Sequence, residues 1–286
     1  MDKLKMLDLQ KKATIIRKHI IDEVFSANSG HPGGSLSCAD ILTTLYFDEM
    51  RVDPKNPKDP NRDRFVLSKG HCAPALYATL ALKGFFPEAD LNTFRKVDSY
   101  LEGHPSMNYV PGVDMSTGSL GQGIATAVGM ALAAKIDKKD YRVYSILGDG
   151  EIEEGLVWEA AMSAAHYKLD NLVAFVDYNG LQIDGNITDV MNPEPIADKF
   201  VAFGWNVIAI NGHDHAAIKD ALEAAKKVSG KPTCVVCHDI KGKGVSFMEG
   251  DYGWHGKAPN QEQRDKAISE LDAQLAEIEA QIAKEA

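Results

Sequence analysis

Two short, glycine-flanked motifs in this 286-residue chain carry hard oxygen donors: Gly148-Asp149-Gly150 and, further on, Asp177-Tyr178-Asn179-Gly180. The Asp149 carboxylate, the Asn179 amide oxygen and backbone carbonyls freed where the glycines break the chain form a donor set suited to Mg2+ or Ca2+, with waters or phosphate oxygens completing the shell. The glycines also let a phosphate approach the backbone, and a helix starting after Gly150 offers free amides to an anion. Either motif alone reads as well as a tight turn; the pair together points to a site.

Four of the nine histidines, His31, His71, His104 and His255, stand next to glycine or proline in loops, where helix or strand packing does not explain them. A neutral imidazole accepts from a hydroxyl at one nitrogen, donates at the other, and exchanges a proton near neutral pH. Several aimed at one polyol would fix its hydroxyls and move the proton that carbon–carbon cleavage requires. The plainer alternative is that each caps its loop. His19, His166, His213, His215 and His238 read as helix-surface, loop or strand residues.

The elements that must hold these groups follow from periodicity. Residues 141–147 and 172–177 are apolar runs that read as buried strands, and 153–167 places Leu156, Val157, Ala160, Ala161 and Ala164 on one helical face. That is a βαβ unit with parallel strands, so both motifs emerge at the same sheet edge. Strands at 64–68, 205–210 and 232–239 and helices at 73–83, 121–135 and 216–227 extend the alternation. An opening helix runs to the Asn28-Ser29-Gly30 breaker, and a second lies near 38–50 after it. The expected fold is α/β: a doubly wound, mainly parallel sheet with helices on both faces, as one domain over 1–286. Its last element, 261–286, is an amphipathic helix. Ile268, Leu271, Leu275, Ile278 and Ile282 lie on one stripe and Asn260 with Gln263 forms a capping box, a stripe suited to packing on its own domain or, alternatively, on a partner.

Composition narrows the classes. Lys and Arg total 31 against 41 Asp and Glu, a net charge of −10 with no basic cluster, which argues against nucleic acid. The first residues contain no signal-peptide core, and the longest apolar run, 124–134, is too short to span a bilayer, so a soluble cytoplasmic protein with no membrane contact is expected. Cys234 and Cys237 form a C-x-x-C inside a strand with no second pair to complete a zinc site, and they read as free thiols.

A Gly-Asp-Gly followed downstream by such an asparagine resembles the signature of thiamine diphosphate enzymes. Over nearly its whole length the chain resembles the diphosphate-binding N-terminal section of transketolases, in SGHPGG (29–34), LSKGH (67–71), EGHPS (102–106), STGSLGQGIATAVGMA (116–131), GDGEIEEG (148–155), DYNGLQIDG (177–185) and KGKGVSFMEGDYGWHGK (241–257). The resemblance implies that Asp149, Asn179 and the Leu181 carbonyl ligate Mg2+, or Ca2+ or Mn2+, which grips the diphosphate of thiamine diphosphate. It places His71, Gly150, Lys69 and Lys243 on that diphosphate, Gly118 and Leu120 along the aminopyrimidine side, and His31, His104 and His255 toward the sugar. Glu154, beside the cofactor loop, corresponds to a glutamate that couples two active sites across a subunit interface; read alone, it is a first-turn glutamate favoured by the helix dipole. Some transketolases carry a further histidine shortly before the last His-Gly, where this chain has Tyr252, Gly253 and Trp254.

The family's activating carboxylate belongs to a pyrimidine-binding domain that these blocks do not include. The expectation is therefore a split transketolase: this chain with a partner subunit of the C-terminal section, forming an α2β2 heterotetramer whose interface the 151–154 acidic run faces, and moving a glycolaldehyde unit between sugar phosphates. Other classes stay open, namely a component of a deoxyxylulose phosphate synthase or a 2-oxo acid decarboxylating enzyme, or a non-catalytic assembly protein that keeps the fold.

Overall fold

A computed structural model describes residues 1–285. The strands, in chain order, are β1 (Arg64–Leu67), β2 (Val143–Gly148), β3 (Leu172–Tyr178), a short hairpin β4 (Leu181–Gln182) and β5 (Gly185–Asn186), β6 (Asn206–Asn211) and β7 (Thr233–His238). Five of them form one sheet in the order β1-β2-β3-β7-β6, and every neighbouring pair is parallel. Between them run α1 (Lys3–Ala27), α2 (Pro32–Ser37), α3 (Ala39–Thr44), α4 (Ala73–Lys83), α5 (Gln122–Ile136), α6 (Gly155–His166), α7 (Ile187–Val190), α8 (Ile196–Ala202), α9 (His215–Lys227) and α10 (Gln261–Glu285).

Successive strand residues point to opposite faces, so an apolar strand buried on both sides feeds two cores. Tyr144, Ile146, Val173, Phe175, Val235 and Cys237 pack with α1, α3, α4 and α9. Val143, Leu147, Leu172, Ala174, Val176 and Cys234 pack with α5, α6 and α8. The sheet is thus doubly wound, and Cys234 and Cys237 lie on opposite faces as buried free thiols.

Two elements differ from the sequence expectation. The helix placed near 38–50 starts earlier: α2 begins at Pro32, directly after His31, and the chain continues through α3 into a wide π turn at Leu45–Glu49. Glycine disfavours helix interiors, yet α2 runs through Gly33 and Gly34, because the helix lies so close to its neighbours that only glycine fits. A Cβ on Gly33 would come 2.9 Å from the Trp254 carbonyl oxygen, and one on Gly34 would come 2.9 Å from Cys72 Sγ. The second difference is at 153–167, where a 3-10 turn at Glu151–Glu153 precedes α6.

The terminal helix has the capping box expected for it: Asn260 N donates to Gln263 Oε1 at 3.0 Å and Gln263 N to Asn260 Oδ1 at 2.9 Å. Its stripe lies on α1, burying Ala267 and Leu271, with Arg264–Asp22 and Lys11–Glu279 ion pairs at the margins. Residue 286, the end of the expected helix, lies outside the described residues. No helix among the described residues is long and apolar enough to cross a membrane.

Candidate functional site

Because β1, β2, β3 and β7 are parallel, the residues that follow them emerge at one edge, where open α/β sheets place their ligands. Gly148 pairs in register with Asp177, which puts Asp149 level with the start of Tyr178-Asn179. A cavity of about 260 Å3 opens there. Of the expected residues it collects Asp149, Gly150, Asn179, Leu181, Lys69, His71, Gly118, Leu120, His31 and His255. A larger hollow, about 630 Å3, lies beside Lys58 and residues 107–114, away from this chemistry.

Asp149 is buried; its Oδ1 accepts the Gly150 amide at 2.9 Å and its Oδ2 the Gly180 amide at 2.6 Å. Burial, and next the charge of Asp177, push its carboxyl up to about 7. A cation at this point would reverse that penalty. The Asn179 Oδ1 accepts the Leu181 amide at 3.2 Å, and the Leu181 carbonyl accepts the ammonium of Lys241 at 2.8 Å. One carboxylate, one amide oxygen and one carbonyl are a hard donor set that fits Mg2+, and among the described residues no group of three His, Cys, Asp or Glu competes with it.

Of the two lysines after β7, Lys241 lines the cavity and the expected Lys243 does not. Lys243 points away: its ammonium pairs with Glu249 at 3.2 Å and faces a separate hollow beside Arg17 and Asp40. After β7 the chain is pinned by Gly242 N donating to the Gly33 carbonyl at 2.9 Å, which turns Lys241 inward and its neighbour outward. The Lys-Gly-Lys spelling gives no signal for choosing between them. Lys69 does line the cavity, but its charge is committed. The buried ammonium is ion-paired with Asp177, which also accepts the Ser37 hydroxyl at 2.6 Å, and it donates to the Gly34 carbonyl at 2.9 Å. Burial opposes the charge on Lys69; Asp177 outweighs it and keeps the ammonium protonated. Lys69→Met should therefore strand a buried carboxylate and lower stability by about 3–5 kcal/mol in urea unfolding, with partial recovery on adding Asp177→Asn.

The acidic run also divides. Glu151, expected at an interface, is buried, accepting from the Ser68 hydroxyl, the Gly121 amide at 2.9 Å and the Gly148 amide at 3.0 Å. It ties the ends of β1 and β2 to the start of α5, a role that a cluster of four acidic or apolar letters does not reveal. Glu153 accepts Gln182 Nε2 at 3.0 Å, while Glu154 is exposed and outside the cavity.

Three of the loop histidines meet. The His31 and His71 ring centres are 5.2 Å apart, His71 and His255 5.3 Å, and His31 and His255 5.5 Å. Lys241 Nζ lies 3.0 Å from His255 Nδ1, whereas His31 Nδ1 is buried without a partner. Burial, then His71, lowers His31 to about 4; burial, then Lys241, lowers His255 to about 3. His104 stands at the rim: its ring is 3.0 Å from where a Cβ on Gly118 would be, its carbonyl accepts the Tyr77 hydroxyl at 3.0 Å, and burial lowers it too. His31, His104 and His255 are therefore neutral imidazoles at pH 7. An unfolded chain takes up these protons first, so stability is full above the ordinary value of 6.5 and is lost as pH falls toward the folded values. Melting curves at about pH 7 and about pH 5 should show that loss, and a smaller one in His255→Gln.

A family model described as the transketolase thiamine diphosphate binding domain matches residues 9–282. The chain belongs to the transketolase family. It is 48% identical over 266 residues to a 6-deoxy-6-sulfo-D-fructose transketolase subunit of Clostridium sp., covering 93% of this chain and 97% of that one. It is 46% identical over 273 residues to an apulose-4-phosphate transketolase subunit of Phocaeicola vulgatus, covering 96% of each. Human transketolase is 40% identical over 275 residues; there the match covers 96% of this chain but 44% of the relative. The crystal structure of transketolase from Campylobacter jejuni superimposes with a TM-score of 0.87 at 39% identity, covering 92% of this chain and 42% of that one. The transketolase assignment makes this chain one component of a transferase and its sheet the thiamine diphosphate binding fold.

Proposed function

We propose that this chain holds the diphosphate of thiamine diphosphate through Mg2+, and that with a partner carrying the pyrimidine-binding domain it transfers a glycolaldehyde unit from a ketose phosphate to an aldose phosphate in the cytoplasm. The observation that carries this reading is the convergence of Asp149, Asn179 and the Leu181 carbonyl on the same cavity as the imidazoles of His31, His71 and His255. Asp149, Asn179 and Leu181 would ligate the ion, and His71, Gly150 and Lys241 would meet the diphosphate. Bound there, the cofactor supplies the electron sink that lets a ketose carbon–carbon bond break. His31 and His255 line the cavity, and their rings would meet the substrate hydroxyls, His255 through Nε2 because its Nδ1 faces Lys241. Neutral rings can accept a hydroxyl proton and return it, which pyruvate chemistry does not ask of them.

This reading seats the partner on α5 and α6. Helix α5 is apolar on every side, the mark of a buried helix, yet Ile136 is 70% and Met162 of α6 61% exposed, and a Cβ on Gly129 or Gly155 would meet nothing within 4 Å. This face runs on from Leu120 and Gly150 at the cavity, so a partner seated on it also reaches the cofactor. Twofold pairing of such units gives α2β2. The isolated chain should bind thiamine diphosphate weakly and turn over no ketose, and mixing with the neighbouring-frame protein that resembles the rest of transketolase should restore turnover at the mass of two copies of each. Full activity from this chain alone would overturn the split reading; turnover of pyruvate but of no ketose would overturn the sugar.

A further inference from the structure

Arg95 stands between the loop of His31 and the loop of His104. It follows the 3-10 segment Glu88–Thr93 and Phe94, and its backbone is left-handed at φ +58, a conformation that costs a residue with a Cβ about 1 kcal/mol or more and persists where surrounding contacts enforce it. Those contacts are specific. Arg95 N donates to the Leu101 carbonyl at 2.9 Å, its Cζ lies 5.5 Å from the Phe94 ring centre, and its Nη1 donates to Ser29 Oγ at 3.0 Å. The guanidinium also lies flat against Gly103, where a Cβ would come 2.8 Å from Cζ. Ser29 is two residues before His31, and Gly103 immediately precedes His104. The polar partner is a hydroxyl rather than a carboxylate, so the charge is not neutralised by its own hydrogen bond.

We propose that Arg95 is a positioning residue of the sugar site, its rigid fork fixing the Ser29–His31 and Gly103–His104 segments against each other so that both imidazoles engage one substrate. This inference rests on the sugar-transfer reading above. The same charge disfavours protonation of both rings. The other groups acting on them are His71, which also lowers both; Cys72, which raises both; and His104, which lowers His31. A lysine would keep the charge but lose the planar fork, which separates the two effects.

The test compares Arg95→Lys and Arg95→Gln in the reconstituted complex, with NMR titration of the histidine rings in this chain as a readout independent of turnover. Both variants should lose kcat/KM for the ketose roughly ten- to hundredfold, the scale of a small misplacement of a reacting group, with the thiamine diphosphate affinity unchanged. In Arg95→Gln alone, His31 and His104 should titrate at higher pH than in the wild type. Wild-type kcat/KM in both variants, unchanged titrations in Arg95→Gln, or a loss of cofactor affinity equal to the loss of kcat/KM would each overturn the proposal. A wild-type complex that turns over no ketose would instead overturn the sugar-transfer reading, and the titrations would still decide whether Arg95 acts on the two rings.

Discussion

Asp149→Ala should leave the chain folded and reduce its Mg2+-dependent affinity for thiamine diphosphate by about two orders of magnitude. The fold should survive because the carboxylate is a burden on the free chain: it is buried, its carboxyl is pushed up to about 7, and in exchange it accepts the Gly150 and Gly180 amides. Its use lies in the bound state. Removing one member of a buried charge pair costs about 3 kcal/mol or more, which is about a hundredfold in affinity. Isothermal titration of the reconstituted complex with thiamine diphosphate, with and without Mg2+, measures it, and equal affinity in variant and wild type would sink the metal assignment.

His31→Ala and His104→Ala should bind cofactor normally and lose kcat/KM for ketose phosphates by roughly two to four orders of magnitude, the range for removing a group that handles a proton in the transition state. His31 is the stronger case, because it lines the cavity and its buried Nδ1 has no partner among the described residues. His104 is exposed at the rim and should show a larger share of its effect in KM. A variant whose loss in kcat/KM merely tracks a loss of cofactor would mark its histidine as part of the diphosphate cradle instead.

The βαβ unit was legible because 143–148 and 172–178 are buried on both faces and therefore spell themselves as unbroken apolar runs, and because the motifs at their ends sit where parallel strands must bring them together. Asp149, Asn179 and the His31, His71 and His255 group were legible for the same reason, as polar residues among glycines. What failed to show was anything decided by packing. Helix α2 forms through Gly33 and Gly34, against propensity, since Trp254 and Cys72 leave no room for a side chain. Lys241 rather than Lys243 faces the cavity through a turn fixed by a hydrogen bond to Gly33, a contact across the fold. Glu151 looked like its acidic neighbours, and Lys69 like a free phosphate ligand, until their buried partners were in place.

The Glu151 clasp has a bearing on how this edge moves. One carboxylate bonds Ser68 at the end of β1, Gly121 at the start of α5 and Gly148 at the end of β2, and the Ser68 hydroxyl in turn accepts the Ile124 amide at 3.1 Å. Segments far apart in the sequence therefore share a single fastening, and none can detach without taking a hydrogen bond from a buried carboxylate, a penalty of about 1–3 kcal/mol. Such a region opens as one cooperative unit rather than fraying loop by loop. Amide protons of Gly121, Ile124 and Gly148 would then exchange with solvent at a common opening free energy. Exchange of the three amides at clearly different opening free energies would show that the floor of the cavity comes apart piecewise instead.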